Sequence, residues 1–448
     1  MKKTTIMTEG TIWKKMLFFA IPLIMGNLFQ QLYNTVDSII VGNYVGSKAL
    51  AAVGASGAVV NLLVGFFVGA SAGGGIIISQ FFGAQDKEGL HKAVHTTVAI
   101  SIVAGIVLTT AGILLAPVIL RAMGTPAELF QDAVVYLQIF FAGIVFSAIY
   151  NMAAGILNAV GNSKRSLIYL IIAAIANIFL DLLFVVVLKM GIAGAAFATV
   201  ISMFISSVLI FLFLTRTDEI YHVRIRDIRF YDKLLGRIIR VGFPTGIQNI
   251  VISVAHVFVQ SAVNSFGSVV MAGYAAYLRI DGFNLLPVMS IAMAASTFTG
   301  QNIGAGKLER VKKGMFTSAA MGIVYAVASG ILLMLFAPQV IGVFTSDREV
   351  VECGIYLMRF FCPFYWGIAI LHILAGTMRG AGKTKEAMFI FLISLCLFRI
   401  IWIGVAMAVK HSVDLLMMVY PTSWFLGAAL SILYIWKGNW NSPVSGGT

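Results

Sequence analysis

The chain has 448 residues, of which 60% are hydrophobic and only 11% charged. A soluble globular protein carries about 25% charged residues, so a soluble fold is excluded and an all-α polytopic membrane protein is expected. The formal net charge is +13, but the basic residues fall between apolar segments. That pattern fits positive-inside topology better than nucleic-acid binding, which has no hydrophilic domain here to carry it.

The chain opens on a basic stretch, MKKTTIMTEGTIWKKM, and runs into apolar sequence. No A-x-A-like site follows, so the first helix is expected to be retained rather than cleaved as a signal peptide. Hydropathy gives twelve spans. The first six lie near 16–42, 50–82, 93–116, 130–158, 165–188 and 192–214. The second six lie near 238–263, 268–299, 315–337, 352–378, 387–409 and 413–436.

Span 1 contains IPLIMGNLFQQLYNTVDSIIVG (21–42), apolar enough to cross a bilayer yet broken by Pro22, Asn27, Gln30, Gln31, Asn34 and Asp37. An aspartate inside a spanning helix costs about 3 kcal/mol on insertion scales. Asp37 is therefore a functional candidate by default, provided it faces protein or a cavity. Pro22 removes a backbone hydrogen bond and kinks its helix.

After span 6 comes the longest polar connector, Thr215 to Arg240, carrying Arg216, Arg224, Arg226, Arg229, Lys233 and Arg237. It divides the chain into an N-terminal lobe (1–214), a basic linker (215–237) and a C-terminal lobe (238–448). Most of the 31 lysines and arginines sit in the termini and the even-numbered connectors. Both termini are accordingly expected in the cytoplasm of a prokaryote, with the chain in the inner membrane. Three cysteines, Cys353, Cys362 and Cys396, have no metal-ligand spacing and read as structural or as apolar filler.

The two halves repeat each other. SQFFGAQDKE (79–88) resembles TGQNIGAGKLE (299–309), and AGILNAVGNSK (154–164) resembles AGTMRGAGKTK (375–385). Gln80 meets Gln301, Gly83 meets Gly304 and Lys164 meets Lys385 at one offset of 221, while Pro22 meets Pro244 at 222. A constant register over so long a stretch marks an internal repeat. Six spans per repeat give two pseudo-symmetric six-helix lobes related by an axis along the membrane normal, with a central cleft and alternating access between them.

At this point the chain resembles the multidrug and toxic compound extrusion (MATE) family. The likeness rests on Pro22 and Pro244 opening spans 1 and 7, the Gln-x-x-Gly-Ala turn after spans 2 and 8, and MRGAGKT (378–384) after span 10. Asp37 in span 1 and Asn177-x-x-x-Asp181 in span 5 resemble its DinF-like branch. The sodium-dependent NorM-like branch places acids in spans 7 and 10, and the comparable stretches here hold none. The resemblance implies export of cationic, amphipathic compounds in exchange for H⁺ or Na⁺. It implies a cation site at Asp37, Asn177, Asp181 and Thr199, with Gln30, Tyr33, Tyr136 and Asn151 in the surrounding polar network. It also implies that Asp37 and Asp181 meet.

That set makes chemical sense. Asn177 and Asp181 are four apart, on one helix face. Two carboxyls sharing a dry pocket favour holding a proton. The same oxygens, with the Asn177 carbonyl and the Thr199 hydroxyl, suit a small hard cation such as Na⁺. The alternative is a structural hydrogen-bond knot around Asp37.

Other residues carry two readings each. Pro22 and Pro244 are hinges or static kinks. Asp281 in span 8 needs a partner on another helix, and Arg399 in span 11 is the candidate; the pair either fixes packing or senses charge. His256 and His372 are proton relays or histidines bonded between helices. GFFVGASAGGG (65–75) is a close-packing face, with Gly65, Gly69 and Gly73 at i,i+4. GAGKT (380–384) lacks the leading glycine of a phosphate loop.

No catalytic set is present, so no enzyme and no cofactor are expected, and the energy source is an ion gradient. The expected partners are small amphipathic molecules and the bilayer, and a monomer is expected. A flippase for a lipid-linked sugar or cell-wall precursor is the alternative. It would favour a strongly basic cleft, and beyond Arg279 and Arg399 few cleft basics are visible.

Overall fold

The computed structural model describes residues 6–345, 347–438 and 440. Among the described residues the secondary structure is helical, without strands, and twelve helices are long and apolar enough to cross a membrane. They are α1 (Ile12–Tyr44), α2 (Ser47–Gly83), α3 (Lys87–Ala122), α4 (Ala127–Ala159), α5 (Ser163–Val187) and α6 (Gly191–Arg216). The second half supplies α7 (Asp232–Asn264), α8 (Ser268–Gly304), α9 (Leu308–Leu335), α10 (Arg348–Gly380), α11 (Thr384–Val409) and α12 (Val413–Trp436). Leu114, Phe179, Val187, Phe316, Val324 and Val409 are each at least two-thirds exposed. In water such faces would promote aggregation. In a bilayer lipid solvates them, and each helix satisfies its own backbone.

Packing divides the chain into two units. The first runs from Pro22 to Gly246; the second takes Ile6–Ile21 and the chain from Ile247 onward. These limits depart from the expected 1–214 and 238–448. The start of α1 packs with the second unit, and the connector and the start of α7 pack with the first. Both crossings fall inside a helix and beside a proline, at Pro22 in α1 and just past Pro244 in α7.

Within the first unit α4 is central, packed on α2, α3 and α6. It buries Phe140, Phe141 and Ile144 against Leu120, Ala195 and Ala196. In the second unit the end of α10 takes the matching place against α8, α9 and α12, around Phe361, Tyr365, Leu371 and Trp424. The glycine run of α2 is a packing face, as expected. A Cβ on Gly73 would lie 2.2 Å from the Gly242 Cα, and one on Gly69 would lie 2.6 Å from the Gly246 Cα. The two backbones touch because no side chain stands between them.

The repeat extends to the turns. Gly46 and Gly267, offset by 221, precede α2 and α8 with φ of 113° and 91°. Gln85 (φ 57°) stands where the second half has Gly306 (φ 71°). A glutamine accepts left-handed backbone at a cost that glycine avoids. The repeat breaks elsewhere: Pro117 lies inside α3, whereas its counterpart Pro338 starts a separate short helix, Ala337–Gly342.

A strap closes one end of each unit. Met7 is fully buried; its N–H donates to Gln301 Oε1 at 2.9 Å, and its carbonyl accepts from Asn302 and Arg310 at 3.3 Å. In the first unit the connector plays this part. Tyr221 is fully buried, which pushes its phenol up from the ordinary value, and Arg237 Nη2 donates to Gln80 Oε1 at 2.9 Å. The paired glutamines of the repeat, Gln80 and Gln301, thus hold equivalent straps.

Candidate functional site

Asp37 lies on α1 beyond Pro22, and Asp181 lies on α5 where the helix changes pitch. The six residues after it, Leu182–Val187, form a π-helical turn, a local widening common at functional sites. The Asp37 and Asp181 carboxyls approach within hydrogen-bonding range of each other, a contact that requires one of them to hold a proton. Asp181 is fully buried, Asn177 is 1% exposed and Asp37 is 9% exposed. Asp37 Oδ1, both Asp181 carboxyl oxygens and both polar side-chain atoms of Asn177 are buried without a conventional hydrogen-bond partner. Leaving a buried polar atom unsatisfied costs about 1–3 kcal/mol, more when it is charged. Five such atoms, four acceptors and one amide donor, are gathered on two facing helices.

Tyr33 and Tyr136 are within electrostatic reach of both acids, and Gln30 lies within hydrogen-bonding reach of the Tyr33 hydroxyl. Tyr33 and Tyr136 therefore lie near the pair, and Gln30 lies beside Tyr33. Tyr150, not singled out from the sequence, lies within reach of Tyr33 and donates to the Ser166 carbonyl at 3.2 Å. Asn151 faces elsewhere: its amide donates to the Ser147 carbonyl (2.8 Å) and hydroxyl (3.3 Å) on its own helix. Thr199 is buried on α6, which packs along α5, but no bond joins it to the acids among the described residues.

The second unit holds a separate polar cluster. Asp281 Oδ1 accepts from the Tyr277 hydroxyl at 3.2 Å, and Tyr277 and Tyr365 share a 3.1 Å hydroxyl contact. Tyr365 also lies within hydrogen-bonding reach of Asp281. Arg399 is the partner that the sequence suggests, yet the two make no ion pair among the described residues. Arg399 Nε donates to Ser423 Oγ at 3.0 Å, and its guanidinium stacks 4.5 Å above the Tyr420 ring. A π-helical turn, Leu392–Leu397, lies just before Arg399. The Arg399 charge reaches Asp281 only through space. His256 lies tilted against Tyr420, with centroids 6.3 Å apart, and His372 is buried edge-on against Phe391 at 5.2 Å.

His91, His95 and Asp227 bring three ligand-type atoms within 4.8 Å of one another where the connector meets α3. The donor set does not fit a metal. His95 Nδ1 bonds the His91 carbonyl at 2.7 Å, and His95 Nε2 accepts from the Arg224 N–H at 2.9 Å. Both ring nitrogens are committed, so the cluster works as a clasp, with His91 Nε2 3.2 Å from Asp227 Oδ2.

Comparison with known proteins gives one consistent picture. A family model described as MatE matches residues 22–183 and 244–403. The probable multidrug resistance protein YpnP of Bacillus subtilis is 30% identical over 392 residues, spanning 88% of each protein. The probable multidrug resistance protein NorM of Thermotoga maritima is 26% identical over 388 residues, spanning 86% of this chain and 83% of that protein. A solved MOP superfamily transporter from Pyrococcus furiosus matches with a TM-score of 0.91 at 24% identity, over 97% of both chains. A multidrug resistance MATE family transporter in an outward-facing conformation matches at 0.90, 24% and 97% of both. These structures establish the fold. The family model covers both halves of the repeat and most of the chain, and the chain belongs to the MatE (multidrug and toxic compound extrusion) family, whose members are membrane transporters and not enzymes.

Proposed function

We propose that the protein is a cation-coupled antiporter that exports amphipathic, cationic compounds in exchange for H⁺ or Na⁺. The observation that carries this reading is the Asp37–Asp181 contact with its orphaned oxygens and the Asn177 side chain one turn away. A pocket of unsatisfied acceptors takes up a cation favourably, and a second charge in so dry a place is expensive. Relatives named as multidrug resistance proteins support the substrate class.

In the proposed cycle, substrate is held while the pair is charged. Entry of H⁺ or Na⁺ neutralises the pair and repacks α1 beyond Pro22, where the helix leaves one packing unit for the other. Substrate affinity falls and the compound departs outward. The cation-loaded protein then exposes the pair to the cytoplasm and discharges it. Ion and substrate need oppose each other by only about 1–3 kcal/mol. The test is efflux of ethidium from proteoliposomes under an imposed pH or Na⁺ gradient. Transport driven by neither gradient would overturn the proposal.

A further inference from the structure

We propose that the connector between α6 and α7 is a membrane-docking element whose partner is the anionic phospholipid surface of the cytoplasmic leaflet. The proposal is independent of the coupling ion and of the exported compound.

The connector folds back along the first unit. The Val223 N–H donates to the Leu214 carbonyl of α6 at 2.9 Å, the Arg224 N–H to His95 Nε2 at 2.9 Å, and the Tyr231 N–H to Thr96 Oγ1 at 3.4 Å. Tyr221 and Val223 are buried on the inner side. Thr96 stands nine residues into α3, about 13 Å from its start. With 36 residues, α3 is about 54 Å long, against a hydrocarbon core of about 30 Å. Shared between the two ends, the surplus is about 12 Å each, which sets the pinned connector at the level of the headgroups.

The outer side combines two chemistries. Ile225 is 68% exposed on a 3-10 turn (Ile225–Asp227), and Phe230 is 42% exposed. At a bilayer interface such side chains enter the boundary between headgroups and acyl chains. Arg224, Arg226 and Arg229 are exposed beside them. Arg224 is pinned by its backbone N–H, which leaves its guanidinium outside the clasp. Between 220 and 231 the one acid is Asp227, and it is drawn to the α3 side, 3.2 Å from His91 Nε2. The clasp thus separates the carboxylate of this stretch from its arginines. Guanidinium groups grip phosphate oxygens in pairs, and each basic side chain near an anionic leaflet adds to the attraction. An acidic soluble protein would match the charge, but the spanning helices keep a bilayer surface beside the connector at all times, and that surface also solvates Ile225 and Phe230.

The experiment is amide hydrogen exchange across 224–230 in the full-length protein. It is run in nanodiscs of phosphatidylcholine alone and of phosphatidylcholine with about 30% phosphatidylglycerol. Exchange is expected to slow about fivefold or more in the anionic discs, and about 0.5 M NaCl should remove the difference. Arg224→Gln/Arg226→Gln/Arg229→Gln should exchange equally fast in both discs, and Ile225→Ser/Phe230→Ser should show a smaller slowing than wild type. Unchanged exchange in α4 verifies that each variant is folded. Should the arginine variant fail to fold, wild type in the two discs with and without salt decides alone. Equal wild-type exchange in both discs overturns the proposal, as does full protection in the folded arginine variant. Glycerophosphoglycerol, the soluble headgroup, is also added to the neutral discs. Protection by it equal to that in the anionic discs would assign the arginines to a free anion and overturn membrane docking.

Discussion

The carboxyls of Asp37 and Asp181 lie within hydrogen-bonding range across α1 and α5, with three of their four oxygens lacking any conventional partner. A structural knot would look different, because its acceptors would be filled by donors from Asn, Tyr or backbone. The first prediction follows from those unfilled acceptors. Asp181→Asn replaces a buried carboxyl that accepts from no Asn, Tyr or backbone donor, and its amide can still donate to Asp37. Thermal unfolding in detergent should therefore occur at or above the wild-type temperature, a gain of up to about 1–3 kcal/mol. A clear loss of stability would mean that the carboxylate is held by donors after all.

Gly73 and Gly242 supply a second prediction. Their helices touch through backbone, and a Cβ on Gly73 would meet the Gly242 Cα at 2.2 Å. Gly73→Ala must push α2 and α7 apart, costing about 1–3 kcal/mol as overpacking does. Gly54→Ala, on the same helix with nothing within 4 Å of the new Cβ, should be neutral or slightly stabilising. Unfolding curves of the two variants, measured side by side, check this. Equal stability would contradict the close approach.

Much of the fold and part of the site are legible in the amino-acid order alone. Asp37 stands out because a carboxylate in an apolar span is expensive, and Asn177 with Asp181 because four residues make one helical turn. The repeat follows from a fixed register, and it reappears as left-handed backbone at Gly46 and Gly267. Pairing across helices is not legible in this way. Arg399 and Asp281 are opposite charges in apolar spans, yet phenols answer one and an aromatic ring with a serine answers the other. Tyrosines in apolar helices look like core, and nothing in the sequence marks Tyr365 or Tyr420 as the partner. The unit limits inside α1 and α7 are equally hidden. Hydropathy sees a continuous helix there and is blind to which neighbours it packs against.

The straps make a third prediction. The connector is held to α3 by the Arg224 N–H on His95 Nε2 and to α2 by Arg237 on Gln80. His95→Ala removes a fully buried acceptor from the clasp and should cost about 1–3 kcal/mol. Amide hydrogen exchange should accelerate across 221–231 and stay unchanged in α9. Protection that persists across the connector would show that apolar burial of Tyr221 and Val223 holds it unaided.

A fourth prediction concerns Pro22, where α1 passes between packing units. Pro22→Ala restores a backbone donor and stiffens the helix. Ethidium should still bind within about threefold of wild type, while gradient-driven turnover falls about tenfold or more, a difference of about 1.4 kcal/mol in the barrier. Unchanged turnover would make the proline a static kink.

The most direct measurement is ethidium efflux from proteoliposomes, under an imposed pH gradient and separately under an imposed Na⁺ gradient. Wild type would run beside Asp37→Asn and Asp181→Asn. The account predicts that one of the two gradients drives wild-type transport and that both variants lose it while remaining folded. Gradient-driven transport that survives both substitutions would contradict it, because the coupling cation would then be bound somewhere other than the Asp37–Asp181 pair.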